Sequence, residues 1–503
     1  MKPKSLVVSG IAALVLCLSA TSSTAPRERT YAFHYENVLG TSLELKVGAA
    51  SPEDAGRAEQ AVLGEIEREA KILSSWDPAS EFSRWERTRG EAVPVSPELL
   101  EVLGLFDQWR DRTGGALDAS AEAVTRVWKQ AEARQQVPSD ADVAAAVAAV
   151  RQKHWQLDAS NHTATHLDAT PLALNSFAKS YIAGHAADAA LAEDGVRRVV
   201  VNIGGDLVVR GEGSELVDVA DPKFDAENAP PIAELQINGR AVATSGNYRR
   251  GEAIGGRHYS HIVDPRTGMP ADQILSSTVV AANPADAGAM ATAFSVLPPA
   301  ESRRVAAGIP GAEYLLIASN GARFMSPGWA ALAFAARPAA AAAPPPPGPV
   351  WDESMELTVT VDLARLDGRA RRPYLAAWVE DGDKFPVRTI ALWFQRERWL
   401  PELRAWYRAD RLRAMAEGSD ITRSVSSATR SPGHYTLQWD GKDNQGKLVK
   451  PGKYTVYIEC AREHGGYDLF HKDIDFNGTP AKTQLPGGSE IASASLDYHK
   501  IAR

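Results

Sequence analysis

Cysteine is scarce in this sequence. Among 503 residues there are two cysteines, Cys17 and Cys460, and Cys17 lies in an apolar N-terminal segment. If that segment is removed, one thiol remains and an internal disulfide cannot form. Stability must then come from burial of apolar side chains, and a chain of this length can build two or three domains with sizeable cores.

An excess of positive charge is also missing. The chain has 55 Lys and Arg residues against 63 Asp and Glu residues, a net charge of −8 at pH 7. Binding to nucleic acid phosphates depends on a basic surface. We therefore do not expect nucleic acid as a partner.

Apolar runs long enough to cross a bilayer comfortably are absent as well. The longest run, SLVVSGIAALVLCLSA at residues 5–20, follows Lys2 and Lys4 and precedes the small residues TSSTA. This arrangement is typical of an export signal. We predict a signal peptide at residues 1–25 and a periplasmic protein. The alternative is an uncleaved signal that anchors the chain to the inner membrane.

A proline-rich segment divides the rest of the chain. ARPAAAAAPPPPGPV at residues 336–350 contains four consecutive prolines, which exclude a helix and favour an extended spacer. We place an Ala/Pro-rich linker at 337–349, a first domain at 26–336 and a second domain at 350–503.

The first domain mixes helical and strand patterns and is predicted to be α+β. Ser96 with Pro97 marks a helix start and Gly114 its end, Ser139 or Asp140 caps another helix, and the pattern from Phe177 predicts a helix that ends at Gly195. VRRVVVNIGGDLVVRG reads as strand, Gly-Gly turn and strand. The second domain has short runs rich in Val, Ile, Tyr, Trp and Thr separated by turns, which predict an all-β, Ig-like sandwich with one inserted helix at 401–416.

Two glycine-containing segments could approach a ligand. Gly204 and Gly205 in VNIGGDL permit positive φ, although a tight turn between strands is the simpler explanation of these two residues taken alone. A strand follows rather than a helix, and the pattern is not GxGxxG, so a doubly wound dinucleotide fold is not indicated. Thr244, Ser245 and Asn247 offer small polar groups in ATSGNYRR, next to Arg249 and Arg250. This suits a phosphate-bearing ligand, and a plain polar loop is the alternative.

A histidine stands beside a sharp turn in HYSHIVDPRTGMP, residues 258–270. Asp264, Pro265 and Gly268 predict the turn itself. His261 is either a packed structural residue or a proton acceptor. A lone histidine is more often structural, but the polar loop and the Gly-Gly turn in the same 70-residue stretch weaken that interpretation of His261.

Taken in order, these and other segments resemble the FAD:protein FMN transferases, the ApbE family. The resemblance extends over about residues 36 to 330 and implies that family's fold. The matching segments are LGTSLEL (39–45), SSWDPASEFSRW (74–85), GGALD (114–118), FAKSY (177–181), VNIGGD (201–206), TSGNY (244–248), HIVDPRTG (261–268) and GAMATAF (288–294).

The resemblance implies a reaction and the residues that perform it. The family moves FMN from FAD to a threonine hydroxyl of a partner flavoprotein, releases AMP and uses Mg²⁺. His261 matches the proposed catalytic histidine. The positions that it implies for binding FAD are Leu39, Trp76, Ala116, Leu117, Asp118, Lys179, Thr244, Ser245 and Ile262.

The implied magnesium ligands match less completely. The backbone oxygen of Ser176 and the hydroxyl of Thr292 correspond to two family ligands, but the family's aspartate is Gly288 here. Asp286 is a tentative substitute. Two residues rotate a helical side chain by about 200°, so it can serve only if the helix start is shifted. Magnesium binding is thus an open expectation.

Three functions follow from the sequence. The first is FMN transfer, the second is a degenerate, non-catalytic FAD-binding or scaffold protein, which Gly288 motivates, and the third is hydrolysis of FAD to FMN and AMP. The C-terminal part resembles the domain of unknown function 2271, which is found fused to such transferases. We expect no catalytic residue in it.

Overall fold

A computed structural model of the chain describes residues 29–223, 226, 228–247, 251–333, 351–365, 372–395, 397–417, 426–427, 429–463 and 465–501. The predicted signal peptide and linker lie outside these ranges, as do Arg249 and Arg250. In the described ranges no helix is both long and apolar enough to cross a membrane. The two largest apolar cores use residues 43–318 and 351–498, which supports two domains; their exact boundaries stay a prediction.

The first part contains seventeen strands and nine helices among its described residues. The strands are β1 Arg29–Val38, β2 Thr41–Ala49, β3 Ala92–Pro94, β4 Trp155–Asp158, β5 Thr163–His166, β6 Val196–Ile203, β7 Asp206–Gly211, β8 Glu215–Val219, β9 Ala233–Ile237, β10 Ala241–Gly246, β11 Gly251–Ile254, β12 Arg257–Ser260, β13 Val263–Asp264, β14 Met269–Pro270, β15 Ile274–Ala281, β16 Glu313–Ala318 and β17 Arg323–Met325. The helices are α1 Pro52–Leu73, α2 Glu81–Glu86, α3 Pro97–Thr113, α4 Glu122–Arg134, α5 Asp140–Val150, α6 Ala178–Leu191, α7 Pro284–Val296, α8 Pro299–Ala307 and α9 Trp329–Leu332.

The helix starts follow the capping residues in the sequence. The Ser96 and Ser139 hydroxyls accept hydrogen bonds from backbone N–H groups three residues later, as predicted. Helix α6 differs from its prediction because it ends at Leu191 rather than at Gly195. The chain must turn before β6, and Gly195 makes that turn at φ +81°.

An eight-stranded antiparallel sheet forms the centre of the first part, in the order β1-β2-β6-β7-β10-β15-β16-β17. Helices α1, α3, α6 and α7 contribute to the large core on one face. The β8–β9 hairpin and α9 cover a smaller apolar cluster on the other face. This is the predicted α+β architecture.

Antiparallel pairing brings several turns to the same end of this sheet. Leu43 pairs with Ile203, Val242 with Leu207, and Gly246 with Ser276. The β1–β2 turn, the β6–β7 turn, the end of β10 and the start of β15 therefore lie next to one another. We call this edge the site end of the sheet.

The second part is a two-layer sandwich, as predicted. One sheet has the order β22-β18-β26-β25 and the other β21-β20-β19-β23-β24, with an apolar core between them. The predicted helix, α10 Arg404–Glu417, packs outside the second sheet around Trp406. The strands are β18 Met355–Leu363, β19 Tyr374–Glu380, β20 Pro386–Trp393, β21 Ser426–Ser427, β22 Gly433–Trp439, β23 Gly452–Ala461, β24 Tyr467–Phe476, β25 Ala481–Leu485 and β26 Ile491–Lys500.

Hydrogen bonds join the sandwich to the first part. The backbone N–H of His34 on edge strand β1 donates to the Gln395 carbonyl at 3.0 Å. The Asn228 amide exchanges two 2.7 Å hydrogen bonds with the backbone of Gln438. Arg372 pairs with Glu36 beside the β1–β2 turn. The sandwich thus covers an edge strand that would otherwise present unpaired backbone groups.

Candidate functional site

Two turns meet at the site end of the sheet. The Gly204 N–H donates to the Ser42 carbonyl at 3.0 Å, and a Cβ at Gly204 would lie 2.5 Å from the Thr41 side chain. With φ at +58°, only glycine suits this position. The close approach places the Gly204–Gly205 turn directly against the turn that carries Leu39.

Hydrogen-bonding groups connect the end of β10 with α7 and with the segment before α6. Ser245 Oγ lies 3.4 Å from Thr292 Oγ1, which donates to the Ser176 carbonyl at 2.9 Å. Thr244 Oγ1 lies 3.0 Å from Thr278 Oγ1 on β15. The structure therefore brings together Ser245, Ser176 and Thr292, of which Ser176 and Thr292 are 116 residues apart in the sequence. Thr244, the neighbour of Ser245 on β10, points to the opposite face of the sheet.

A buried carboxylate lies next to these groups. Asp206 begins β7, accepts a 3.0 Å hydrogen bond from Ser180 Oγ, and lies 3.6 Å from Lys179 Nζ. Burial raises the pKa of Asp206, while the Lys179 charge acts in the opposite direction. Our sequence reasoning did not select Asp206 as a site residue. The available signal was its place directly after the Gly-Gly turn.

The first turn of α6 lies beside these groups, and its first N–H, that of Ala178, donates to the Leu174 carbonyl at 3.2 Å. Its N-cap, Phe177, has no side-chain capping hydrogen bond within the described residues. The first N–H groups of a helix point along its axis and carry partial positive charge. Together with Lys179, they form a positively polarised region beside the hydroxyl groups.

The contact between α6 and α7 determines whether a carboxylate ligand for magnesium can be present at position 288. A Cβ at Gly288 would lie 2.3 Å from Ser180 Oγ and 3.1 Å from Phe177 Cβ. Asp286 is half-buried next to Trp109 and Arg112 of α3, and burial raises its pKa. It does not replace the missing carboxylate at 288. The residues at this position therefore do not fit the implied three-ligand magnesium site.

The Ala116–Asp118 turn, which the sequence predicts to bind FAD, lies beside the segment that precedes α6. The Ala173 N–H donates to the Ala119 carbonyl at 2.9 Å, which places the Ala116–Asp118 turn beside this segment. Ala116, Leu117 and Asp118 are all buried, and Arg110 Nε lies 3.0 Å from Asp118 Oδ2. This turn is held by its own contacts before any ligand binds.

Trp76 lies near the same segment but points outward. The Leu174 N–H donates to Ser75 Oγ at 3.1 Å, which ties the neighbour of Trp76 to the chain before α6. The Trp76 side chain is 77% exposed, with Lys129 Nζ 5.5 Å from its ring centroid. An exposed indole with one open face can stack on a flat ligand.

His261 lies half-buried between β12 and β13. The carbonyl of Ile262, the residue after His261, accepts a 2.8 Å hydrogen bond from the Ala271 N–H. The Ala271 carbonyl in turn accepts a 3.1 Å hydrogen bond from Asn247 Nδ2. These bonds join the His261 loop to the end of β10. The predicted turn is present, since the Gly268 N–H donates to the Asp264 carbonyl at 2.7 Å.

Comparison with known proteins identifies two families along the chain. Residues 39–316 match the ApbE family, and residues 356–493 match a family described as "Predicted periplasmic protein (DUF2271)". An FAD:protein FMN transferase of Klebsiella pneumoniae (strain 342) is 28% identical over 299 residues, which cover 58% of this chain and 85% of the relative. One of Rhodobacter capsulatus is 31% identical over 328 residues, which cover 63% of this chain and 60% of the relative.

Solved structures agree with the sequence comparison. The crystal structure of an ApbE protein from Thermotoga maritima has 26% sequence identity and a TM-score of 0.54, and the match covers 60% of this chain and 99% of that chain. The flavin transferase ApbE from Vibrio cholerae, at 21% identity and a TM-score of 0.52, shares the fold. Since the family match spans more than half of the sequence, the chain belongs to the ApbE family.

Proposed function

We propose that this protein is an FAD:protein FMN transferase, which moves FMN from FAD to a threonine hydroxyl of a partner protein and releases AMP. The observation that carries the proposal is the convergence at the site end of the sheet. There the Leu39 turn, the Gly204–Gly205 turn, Ser245 at the end of β10, and the start of α6 with Lys179 lie side by side. The names of the relatives support it.

The chemistry needs a proton acceptor and stabilisation of negative charge. The threonine oxygen attacks the FMN-side phosphorus, the bond from that phosphorus to the bridging oxygen breaks, and AMP leaves with the bridging oxygen. His261 takes the threonine proton, because histidine is the side chain whose ordinary pKa lies nearest neutral pH. Lys179 and the N-terminal end of α6 stabilise the phosphate oxygens.

Magnesium is assigned no step in this proposal. The hydroxyl of Thr292 and the carbonyl of Ser176 adjoin each other, but position 288 supplies no carboxylate. Mg²⁺ is usually held in proteins through carboxylates. The dependence of the reaction on Mg²⁺ is therefore a result to be measured.

The acceptor is proposed to be a periplasmic flavoprotein. The export-like N-terminus and the description of the C-terminal family support this location. Arg372 of the sandwich pairs with Glu36 and donates to Asn37 Oδ1 at 2.9 Å, two residues before Leu39. The sandwich thus lies close to the site end, and we propose that it helps to recruit the acceptor.

The test uses the full chain, FAD and an acceptor that bears the family's target threonine motif, with and without Mg²⁺. In-gel flavin fluorescence measures transfer, and chromatography of nucleotides measures consumption of FAD. We expect labelling of the acceptor by the wild type and a loss of about 10²- to 10⁴-fold in His261→Ala, the usual contribution of a general base. His434→Ala, on the exposed surface of the sandwich, is the matched control.

Each other outcome selects another interpretation. Wild-type labelling by His261→Ala contradicts the role of His261. FMN and AMP without labelled acceptor indicate FAD hydrolysis. Unchanged FAD and an unlabelled acceptor indicate the non-catalytic FAD-binding protein, which the absence of a carboxylate at Gly288 favours as second candidate.

A further inference from the structure

A cluster of three side chains that can bind a metal, two glutamates and one histidine, lies between α1 and α6, outside the proposed flavin site. Glu65 and Glu69 are one helical turn apart on α1, and His185 faces them from α6. One ligand atom from each of the three lies within 4.8 Å of the others. Two carboxylate oxygens and an imidazole nitrogen form a donor set that suits Zn²⁺.

The buried carboxylate in this cluster is incompletely paired. The Glu69 side chain is 0% exposed, and its Oε1 contacts His185 Nδ1. Its Oε2 is buried and has no hydrogen-bond partner among the described residues. An unsatisfied buried carboxylate oxygen is costly, and a bound cation would satisfy it.

The cluster is open to solvent on one side. The Glu65 side chain is 20% exposed and that of His185 39% exposed, so an ion can enter and keep a water as a further ligand. Tyr181, one turn before His185, packs its ring 4.3 Å from the imidazole and restricts its orientation. Side chains on two packed helices are held more firmly than side chains on loops.

Arg68 competes for the same carboxylates. Its Nη2 lies 2.7 Å from Glu65 Oε1 and 3.3 Å from Glu69 Oε1, and its Nη1 lies 2.6 Å from Glu98 Oε1. The Arg68 side chain is 45% exposed. It can therefore move into solvent, with Glu98 as its remaining partner, when an ion binds.

We infer that Glu65, Glu69 and His185 form a zinc-binding site that links α1 to α6. Lys179 and Ser180 belong to α6, so a metal here would hold in place the helix whose first turn faces the proposed flavin site. The inference does not depend on flavin transfer. Zinc binding and FMN transfer are measured separately.

The test titrates Zn²⁺ into the tag-free full chain in competition with a chromophoric chelator. We expect His185→Gln and Glu69→Gln each to weaken zinc binding by more than about 10-fold. Loss of a residue that only supports a metal ligand already costs roughly 10-fold in affinity, and these two residues are direct ligands in the proposed site. Arg68→Gln should bind zinc more tightly, because it removes the competing cation. His434→Gln is the control, since His434 pairs with a single carboxylate, Asp362, at 2.7 Å.

Thermal unfolding gives an independent measurement. Zinc should raise the Tm of the wild type and of His434→Gln but not that of His185→Gln, because only a site that binds the ion in the folded state stabilises it. Absence of zinc binding by the wild type, or equal binding by His185→Gln, would overturn the inference. The cluster would then be an ion-pair network centred on Arg68.

Discussion

At the scale of single residues, substitution of Trp76 should affect FAD binding without affecting the stability of the fold. Its side chain is 77% exposed, so it contributes little to the core. We expect Trp76→Ala to change the free energy of unfolding by less than about 0.5 kcal/mol. The same change should weaken FAD binding by about 5- to 150-fold, because stacking of a base on an aromatic ring contributes about 1–3 kcal/mol.

Quenching of flavin fluorescence and thermal unfolding measure the two effects. Phe324→Ala, an exposed aromatic residue on β17, is the control for loss of an aromatic surface. If both variants bind FAD as the wild type does, Trp76 has no role in the site.

The positions of candidate site residues in the fold were predictable from sequence where a motif carried them, while their roles stay predictions. Leu39, Thr244, Ser245 and Thr292 were selected on motif order, and the structure places them around one end of the sheet. Asp206 was missed, because a carboxylate after a Gly-Gly turn looks like an ordinary turn residue. Its importance comes from burial beside Lys179 and Ser180, which only the fold creates.

At the scale of elements, the contact between α6 and α7 couples positions 180 and 288. A Cβ at Gly288 would lie 2.3 Å from Ser180 Oγ, so that hydroxyl must rotate away from Asp206. We expect Gly288→Asp alone to destabilise the protein by about 1–3 kcal/mol through overpacking. It should not create a metal site.

The double variant Ser180→Gly, Gly288→Asp should lose less stability than the sum of the single variants. Removal of the hydroxyl makes room for the new side chain, and contacting residues typically show coupling of about 0.5–3 kcal/mol. Urea unfolding of the four proteins measures the coupling, and calorimetry with Mg²⁺ shows whether the double variant gains a site. Additive effects would mean that the two positions do not interact.

Element types followed from the sequence better than element ends did. Helices α3 and α5 begin at serine caps that the sequence displays, and β18 of the sandwich alternates between buried and half-buried residues. The end of α6 was predicted too late, because Ala192 and Glu193 after Leu191 are compatible with a helix up to Gly195. Pairing of β6 with β2 stops the helix earlier, and such a long-range pairing leaves no local signal.

At the scale of the whole molecule, His34 makes the contact between the two parts sensitive to acid. Its ring is 2% exposed, packs at 5.1 Å against Phe394, and has no hydrogen-bond partner on either nitrogen among the described residues. Burial lowers the pKa of His34 from 6.5 to about 4, helped by the charges of Lys46 and Arg430.

The folded protein therefore binds fewer protons at His34 than the unfolded chain between about pH 6.5 and pH 4. The contribution of neutral His34 to the free energy of unfolding is fully present above pH 6.5 and is lost as the pH falls toward 4. The total loss is roughly 3 kcal/mol. His34→Phe keeps a ring against Phe394 and should lose less stability over this range. Urea unfolding as a function of pH measures the difference, with His471→Phe as an exposed control. Equal pH profiles of wild type and His34→Phe would contradict this account.

The central claim is that the site end of the sheet binds FAD, and calorimetric titration of FAD into the full chain tests it most directly. The account predicts saturable binding of one FAD per chain. Lys179→Met should weaken this binding by about 10- to 150-fold, since a hydrogen bond to a charged group contributes about 1.5–3 kcal/mol. Lys71→Met, which removes an exposed lysine paired with Glu67, should bind FAD as the wild type does. Absence of binding heat, both with and without Mg²⁺, would contradict the claim.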